Sequence, residues 1–304
     1  MKTSEQNTGR LIAFSCAAFC IFAGLFIVGT FNDMAISDTL YSPDNVLCKV
    51  TAAIGPMPLF SVLILLSGAL LQRAGAIQSG ARLPALITAA VLTLGLCGFG
   101  AKVFTSSSCL DEVFPSVRGS VPAMVITALV LLPLAFLGFS MAKKNADINL
   151  VRRIIVLMAT ILTAYILLEV IKSTMRRPRY RIVIQGHEGV GFMNWYERFT
   201  GYSKELPETL GVVKSEFASF PSGHSMMSMT CFITLPALSW IFTSLKGREL
   251  MLAGCGFAYS AVVMFSRIVR GAHFLSDVSF SGAVFMIFSV IYMLILKKTV
   301  KEEK

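Results

Sequence analysis

Long apolar runs joined by shorter polar connections make up most of this chain. A helix needs roughly 20 apolar residues to cross the hydrocarbon core of a bilayer. Eight runs reach about that length, so the pattern predicts an all-α fold, a polytopic membrane helix bundle of about eight transmembrane helices. The predicted spans are residues 10–31, 51–72, 83–104, 120–142, 154–172, 223–245, 250–268 and 274–296.

The composition agrees with a membrane protein and excludes an ordinary soluble domain. The chain is 55% hydrophobic and 14% charged, and its mean hydropathy is +0.72, which a soluble domain rarely reaches. The first run follows Arg10, exceeds the length of a secretory signal's apolar region and lacks a small-residue cleavage site. We therefore expect a retained first helix and a single integral membrane domain over residues 1–304.

Basic residues indicate the orientation of the bundle. If the N-terminus is cytoplasmic, 14 of the 27 Lys and Arg residues fall in cytoplasmic segments, as the positive-inside rule requires. Ten of the other 13 lie in residues 172–214 and 267–270, at the outer side. We therefore predict that both termini are cytoplasmic in a multi-pass protein of the cell membrane. The net charge of +10 then indicates an anionic partner at the outer face, not nucleic acid.

Two cysteines lie in predicted outer loops, where oxidation is permitted. Cys48 falls in the loop around residues 32–49 and Cys109 in the loop around residues 105–119. Sequence leaves two alternatives open for them, a disulfide that ties the loops together or two free thiols. The remaining five cysteines lie in apolar runs, where a thiol behaves as a small hydrophobic group.

A dense group of cations follows the fifth predicted span. It exceeds what membrane anchoring requires, and Pro178 ends the helix so that the arginines can fold back. Glu169 lies three residues before Lys172, so we expect an ion pair between them on one helix face. The connection of residues 173–220 also carries Trp195, either an interfacial anchor or part of a lid. The cations are Lys172, Arg176, Arg177, Arg179 and Arg181.

Two further polar groups lie at the same predicted face. Pro221-Ser222-Gly223-His224 precedes an apolar run, and Ser222 is either an ordinary helix cap or part of an anion site at a helix N-terminus. Arg267 closes the seventh predicted span, and His273 and Asp277 open the eighth at i, i+4 spacing. A carboxylate beside an imidazole orients it and raises the basicity of its other nitrogen.

These three segments together resemble the type 2 phosphatidic acid phosphatase superfamily, which includes the vanadium haloperoxidases. The second and third family motifs are matched in full by residues 221–224 and 266–277. The first, a Lys followed by Arg-Pro, is matched by Lys172 and Arg179, with Tyr180 in place of the proline. An alternative register through Arg177-Pro178 puts Val170 at the lysine position, so we prefer the first. The resemblance implies a catalytic core in residues 154–297, preceded by four partly accessory spans in residues 1–153.

The resemblance also implies a role for each matched residue. His273 is implied as the nucleophile that forms a phosphohistidine, Asp277 as the group that orients it, and His224 as the general acid and base. The implied phosphate-binding residues are Lys172, Arg179, Ser222, Gly223 and Arg267. No cofactor and no metal are expected, since the cations take the part of magnesium.

The expected function is therefore hydrolysis of a phosphorylated membrane lipid at the outer or periplasmic face. Candidate substrates are phosphate monoesters and pyrophosphates such as phosphatidate, phosphatidylglycerol phosphate, undecaprenyl diphosphate and lipid A. Two alternatives stay open at this point, a lipid phosphotransferase that uses the same site and a non-enzymatic anion or lipid transporter. The residues leave the oligomeric state open.

Overall fold

The computed structural model describes residues 2–105, 109–143 and 147–301. Helix accounts for 76% of it, and the described ranges contain no strand. Residues 106–108 of the predicted second outer loop lie outside the described part. The α-helices are α1 (Lys2–Leu40), α2 (Val46–Ile54), α3 (Met57–Gly75), α4 (Arg82–Thr105), α5 (Leu110–Val113), α6 (Val121–Ala142), α7 (Leu150–Met175), α8 (Tyr180–Val183), α9 (Leu206–Thr209), α10 (Gly223–Met229), α11 (Cys231–Ala237), α12 (Glu249–Val269) and α13 (Leu275–Lys301).

Seven helical segments in the described ranges are long and apolar enough to cross a membrane, which confirms a polytopic helical bundle. The expected sixth span, residues 223–245, differs from the prediction. It is divided at Thr230 into α10 and α11, and two short 3₁₀ turns follow. Pro236 lies inside α11, and almost all of this segment is buried within the protein. Because other helices surround it, this segment tolerates interruptions that lipid exposure would penalise.

The first helix is longer than its apolar run predicted. Residues 32–40, expected as part of an outer loop, continue α1 because neither proline nor glycine follows Gly29 before Pro43. At 1.5 Å per residue, this extension carries the helix about 13 Å further. It packs closely along α13, where a Cβ at Gly29 would lie 2.5 Å from the backbone nitrogen of Ser276. Elsewhere along the same pair of helices, Ser289 of α13 donates a hydrogen bond of 2.8 Å to Ser15 of α1.

Helices α3, α4 and α6 form a second packed group, called here the α3–α4–α6 group. The backbones of α3 and α6 approach so closely that a Cβ at Gly68 or Gly138 would overlap a carbonyl of the other helix. Small residues permit this kind of contact between membrane helices. Most apolar side chains of α4 and α6 are at the surface of the bundle, as lipid-facing helices require.

The connection between α7 and α10 is folded as a packed cap over one end of the bundle. Ile182, Val190, Phe199 and Phe217 form its own small hydrophobic cluster. Trp195 is held within the protein, because its indole N–H donates to Thr30 Oγ1 at 3.0 Å and its ring packs on Phe26 and Phe220. The structure therefore attaches this connection to α1 as well as to α10.

Candidate active site

The predicted site residues come together under this cap, at one end of the bundle. Lys172 lies in the last turn of α7, Ser222 immediately precedes α10, and Arg267 lies in the last turn of α12. His273 lies between α12 and α13, and Asp277 lies in the first turn of α13. Since these are helix ends, each side chain is held by regular structure on one side and by the cap on the other.

Lys172 lies directly over the start of α10. A Cβ on Gly223 would be 2.9 Å from the Lys172 ammonium nitrogen, so a side chain at this position would displace the end of Lys172. The expected ion pair is present, with 3.4 Å between Lys172 Nζ and Glu169 Oε1. Arg179 and Arg267 are electrostatic neighbours of the same lysine. Three cations therefore face one small volume beside Gly223.

Glu216, which sequence analysis did not single out, partly balances these charges. Its Oε1 lies 3.5 Å from Arg179 Nη1, and Arg181 donates to its two oxygens at 2.8 and 2.5 Å. Burial raises the pKa of Glu216, but the hydrogen bond from Arg181 and the charges of Arg179, Arg181 and Arg267 outweigh it and hold the pKa below its usual value. The carboxylate is therefore ionised at neutral pH and holds Arg179 in place.

The imidazole of His273 is almost completely buried, and its tautomer follows from one contact. Its Nδ1 lies 2.7 Å from the carbonyl oxygen of Ser219. A carbonyl only accepts hydrogen bonds, so Nδ1 carries the proton and, in the neutral ring, Nε2 keeps its lone pair. Burial lowers the pKa of His273 to about 3, assisted by the charges of Arg179 and Arg267 and opposed by Asp277. The ring is therefore neutral at physiological pH.

Asp277 acts on His273 differently from the direct pairing that the i, i+4 spacing suggested. Its Oδ2 is 3.7 Å from His273 Nδ1, beyond hydrogen-bond distance. That oxygen instead accepts from the Ser219 hydroxyl at 2.5 Å and from the Phe274 N–H at 2.7 Å. Asp277 thus holds Ser219, whose carbonyl orients the imidazole.

Arg177, one of the five cations that follow the fifth predicted span, is a buried link within the protein. It is 0% exposed, and its Nη1 donates to Asp277 Oδ1 at 2.6 Å. Its guanidinium carbon lies 4.2 Å from the centre of the Phe274 ring. Arg177 is therefore part of the support behind His273, whereas Arg179, two residues later, is the electrostatic neighbour of both histidines.

His224 is buried in α10 and has a neighbour that the sequence did not indicate. Its Nε2 lies 3.3 Å from the sulfur of Cys109, which is itself 0% exposed. Neither Cys48 nor Cys109 forms a disulfide in the structure, and the Cys109 thiol is directed at His224 instead. Charged neighbours surround the ring; they are Arg267, His273, Arg179 and Lys172.

Ser222 caps the N-terminus of α10, which is one of its two predicted roles. Its hydroxyl oxygen accepts from the Ser225 N–H at 3.3 Å and from the Ser225 hydroxyl at 2.8 Å. A contact of Ser222 with phosphate stays a prediction. Over the described part of the chain, no group of three or more His, Cys, Asp and Glu side chains is arranged to hold a metal ion.

The family comparison gives the class of the protein. The family model of the PAP2 superfamily matches residues 153–301, and through this C-terminal half the chain is a member of that superfamily. Its members are generally phosphatases. All of the motif residues lie inside the match, whereas Cys109 lies outside it. No curated protein and no solved structure matches the chain.

Proposed function

We propose that this protein is a membrane lipid phosphatase that hydrolyses a lipid phosphate monoester or pyrophosphate through a phosphohistidine. The observation that carries the proposal is the state of His273. Its Nδ1–H is committed to the Ser219 carbonyl, and its neutral ring presents the Nε2 lone pair beside Arg179 and Arg267. A neutral, oriented imidazole among cations is suited to attack an anionic phosphorus centre.

The first half of the reaction forms the covalent intermediate. Nε2 of His273 attacks phosphorus, and the bond from phosphorus to the lipid oxygen breaks. Burial and the surrounding cations lower the pKa of His224, so this ring takes up a proton from the bound phosphate monoanion and donates it to the departing alkoxide or phosphate. The lipid alcohol, or the lipid monophosphate in the case of a pyrophosphate, then leaves. Lys172, Arg179 and Arg267 hold the phosphoryl oxygens and stabilise the charge that develops on them.

The second half regenerates the enzyme. His224, now neutral, takes a proton from a water molecule, whose oxygen attacks the phosphohistidine. The bond between phosphorus and Nε2 breaks, orthophosphate leaves, and His273 is again neutral with its proton on Nδ1. His224 returns the proton to the departing orthophosphate and ends neutral, as it began, so the cycle consumes one water and needs no other reactant.

The position of the site favours a lipid substrate. Lys172, Arg267 and Asp277 lie at the ends of membrane-length helices, where a phosphorylated headgroup lies while its chains remain in the bilayer. The positive-inside pattern places this end outside, with both termini cytoplasmic. The proposed substrates are therefore lipids such as phosphatidate, phosphatidylglycerol phosphate, undecaprenyl diphosphate or lipid A.

Phosphate release tests the activity. Purified protein in detergent, with a chelator and no added metal, is given a panel of these lipid phosphates. We expect turnover by the wild type, a loss on the order of 1,000-fold or more in His273→Ala, and a loss of about 100-fold or more in His224→Ala. His187→Ala is the matched control, since its ring forms an exposed hydrogen bond with the Gln185 side chain, away from the motif residues.

Each other outcome has a clear meaning. No turnover of any lipid, or equal turnover in wild type and both site variants, would contradict the proposal. Phosphate release only when a second lipid is supplied as acceptor would indicate the phosphotransferase instead. Lipid or anion movement that survives His273→Ala would indicate a transporter.

A labelling experiment tests the membrane face. Tyr196 is 58% exposed on the cap, so a Tyr196→Cys variant presents a thiol next to the site. We expect an impermeant thiol reagent to label it in intact cells above the background of the wild type. Labelling only after the cytoplasmic side is opened would reverse the proposed orientation.

A further inference from the structure

Asp33 brings a buried charge from the first helix to the support of the candidate site. It lies in α1, outside residues 153–301, and is 3% exposed. Its Oδ1 accepts the Ser276 N–H at 2.9 Å, and its Oδ2 lies 2.9 Å from Arg177 Nη2 and within hydrogen-bond distance of the Ser276 hydroxyl. These three donors occupy most of the acceptor sites of the carboxylate, which has about four.

From Asp33 a continuous line of hydrogen bonds leads to His273. Arg177 donates from Nη2 to Asp33 and from Nη1 to Asp277, the second hydrogen bond being 2.6 Å long. Asp277 accepts from the Ser219 hydroxyl at 2.5 Å, and the Ser219 carbonyl accepts from His273 Nδ1 at 2.7 Å. The Ser219 N–H also donates to the Arg177 carbonyl at 3.0 Å. Arg177 therefore supports Ser219 through both its side chain and its backbone.

The geometry leaves Arg177 dependent on Asp33. Both groups are buried, and a buried guanidinium needs charged partners with good geometry. Asp277 supplies one side of the planar fork and Asp33 the other, which sets the rotation of the guanidinium as well as its charge. The Ser276 N–H contact also ties Asp33 to the beginning of α13, one residue before Asp277.

We propose that Asp33 is a positioning residue for the reaction, which acts on His273 through Arg177, Asp277 and Ser219. The first helix is then part of the catalytic unit, although it lies outside the family match. The inference rests on the proposed function. The inference goes beyond that function, because this helix lies outside the three motifs and outside the matched region.

Asp33→Asn tests the proposal in the full-length protein. The amide keeps the shape of the carboxylate and an oxygen for the Ser276 N–H, but it removes the charge that faces Arg177. We expect kcat to fall by about 10- to 100-fold, as for a small misplacement of a reacting group. KM and the inhibition constant of inorganic phosphate should stay near the wild-type values, because no phosphate-binding side chain is changed. The unfolding temperature should fall, because the buried guanidinium loses a charged partner, so kcat is measured per folded protein.

Asp38→Asn is the matched control. Asp38 lies five residues further along the same helix and accepts a hydrogen bond of 2.7 Å from the Tyr180 hydroxyl. The control therefore removes one negative charge and weakens one contact of α1, but it leaves the line from Asp33 to His273 intact. Its kcat should remain within about twofold of wild type.

The outcomes separate a positioning role from a structural one. Asp33→Asn with wild-type kcat overturns the proposal, and so does a loss that is fully accounted for by unfolded protein or by lost phosphate inhibition. If Asp33→Asn does not accumulate, Arg177→Lys tests the same link, since a lysine cannot bridge both carboxylates; a kcat like that of wild type overturns it again. Absence of turnover in the wild type would contradict the proposed function itself and the inference with it.

Discussion

Helix α1 and the α3–α4–α6 group both precede the family match and are both apolar, yet they relate to the site in opposite ways. α1 lies along α13 and ends in polar contacts, with Asp33 on Arg177 and Ser276. The α3–α4–α6 group holds itself together through close backbone approach at Gly68 and Gly138. Helix α3 also contacts α7 and α10, and the connection after α4 brings Cys109 to His224.

The difference shows that a helix outside the family match can still contact the groups that support the site. A buried charge in a membrane protein must meet a partner, so it determines where its helix lies. Packing of small residues brings helices together without such a demand. We therefore expect changes in the C-terminal half of α1 to alter turnover and changes in the α3–α4–α6 group to alter stability.

Among the variants that test this comparison, Gly29→Val is expected to have the largest effect on turnover. A Cβ there would lie 2.5 Å from the Ser276 backbone nitrogen, so the side chain must push α1 away from α13 and take Asp33 with it. Turnover per folded protein should fall on the order of 100-fold. Gly24→Val on the same helix is the control, because nothing lies within 4 Å of its Cβ. Equal activity of the two variants would contradict the expectation that the contact of α1 with α13 affects turnover.

Gly138→Ala is the opposite test, in the α3–α4–α6 group. The new methyl group would overlap the Leu65 carbonyl, and such overpacking typically costs about 1–3 kcal/mol. We expect a lower unfolding temperature with unchanged kcat in the folded fraction. Gly95→Ala in α4, where a Cβ meets nothing within 4 Å, should not lower stability. A drop in kcat without a drop in stability would show that this group acts on the site.

Ser219→Ala sharpens the comparison within the matched half. It removes the hydroxyl that donates to Asp277 at 2.5 Å but keeps the carbonyl that accepts from His273. Loss of one charge-assisted hydrogen bond, about 1.5 kcal/mol, predicts a fall in kcat of roughly tenfold. Ser215→Ala, four residues earlier in the same connection, is the control. An unaffected kcat in Ser219→Ala would mean that Asp277 does not act through this serine.

The smallest effect is expected from Cys109→Ala. A contact between thiol and imidazole worth about 0.5–1 kcal/mol predicts a two- to fivefold change in kcat, whereas Cys48→Ala should leave it unchanged. Added reductant should have no effect on the wild type, because neither of these two cysteines forms a disulfide. Matching losses in both variants and with reductant would instead indicate the disulfide.

Much of the candidate site was predictable because its residues are close in sequence to helix ends. Helix periodicity and apolar length place Lys172, Ser222 and Arg267 at span termini, and the motif spacing groups the histidines with them. The Glu169–Lys172 ion pair is a local i, i+3 contact and is present. The break at Thr230 was missed because an apolar run does not show whether other helices bury it. The length of α1 was missed because a helix can continue into polar residues beyond its apolar run.

Sequence alone determined the membrane class, the helical fold and the superfamily, since these depend on apolar length and on motifs within one segment. Only the tertiary structure decided which groups stand behind His273. Asp33 and Arg177 are separated by 144 residues and Ser219 and Asp277 by 58, and no periodicity connects such positions. They meet because buried charges and polar groups must find partners inside the folded protein, and that requirement is satisfied in space, not along the chain.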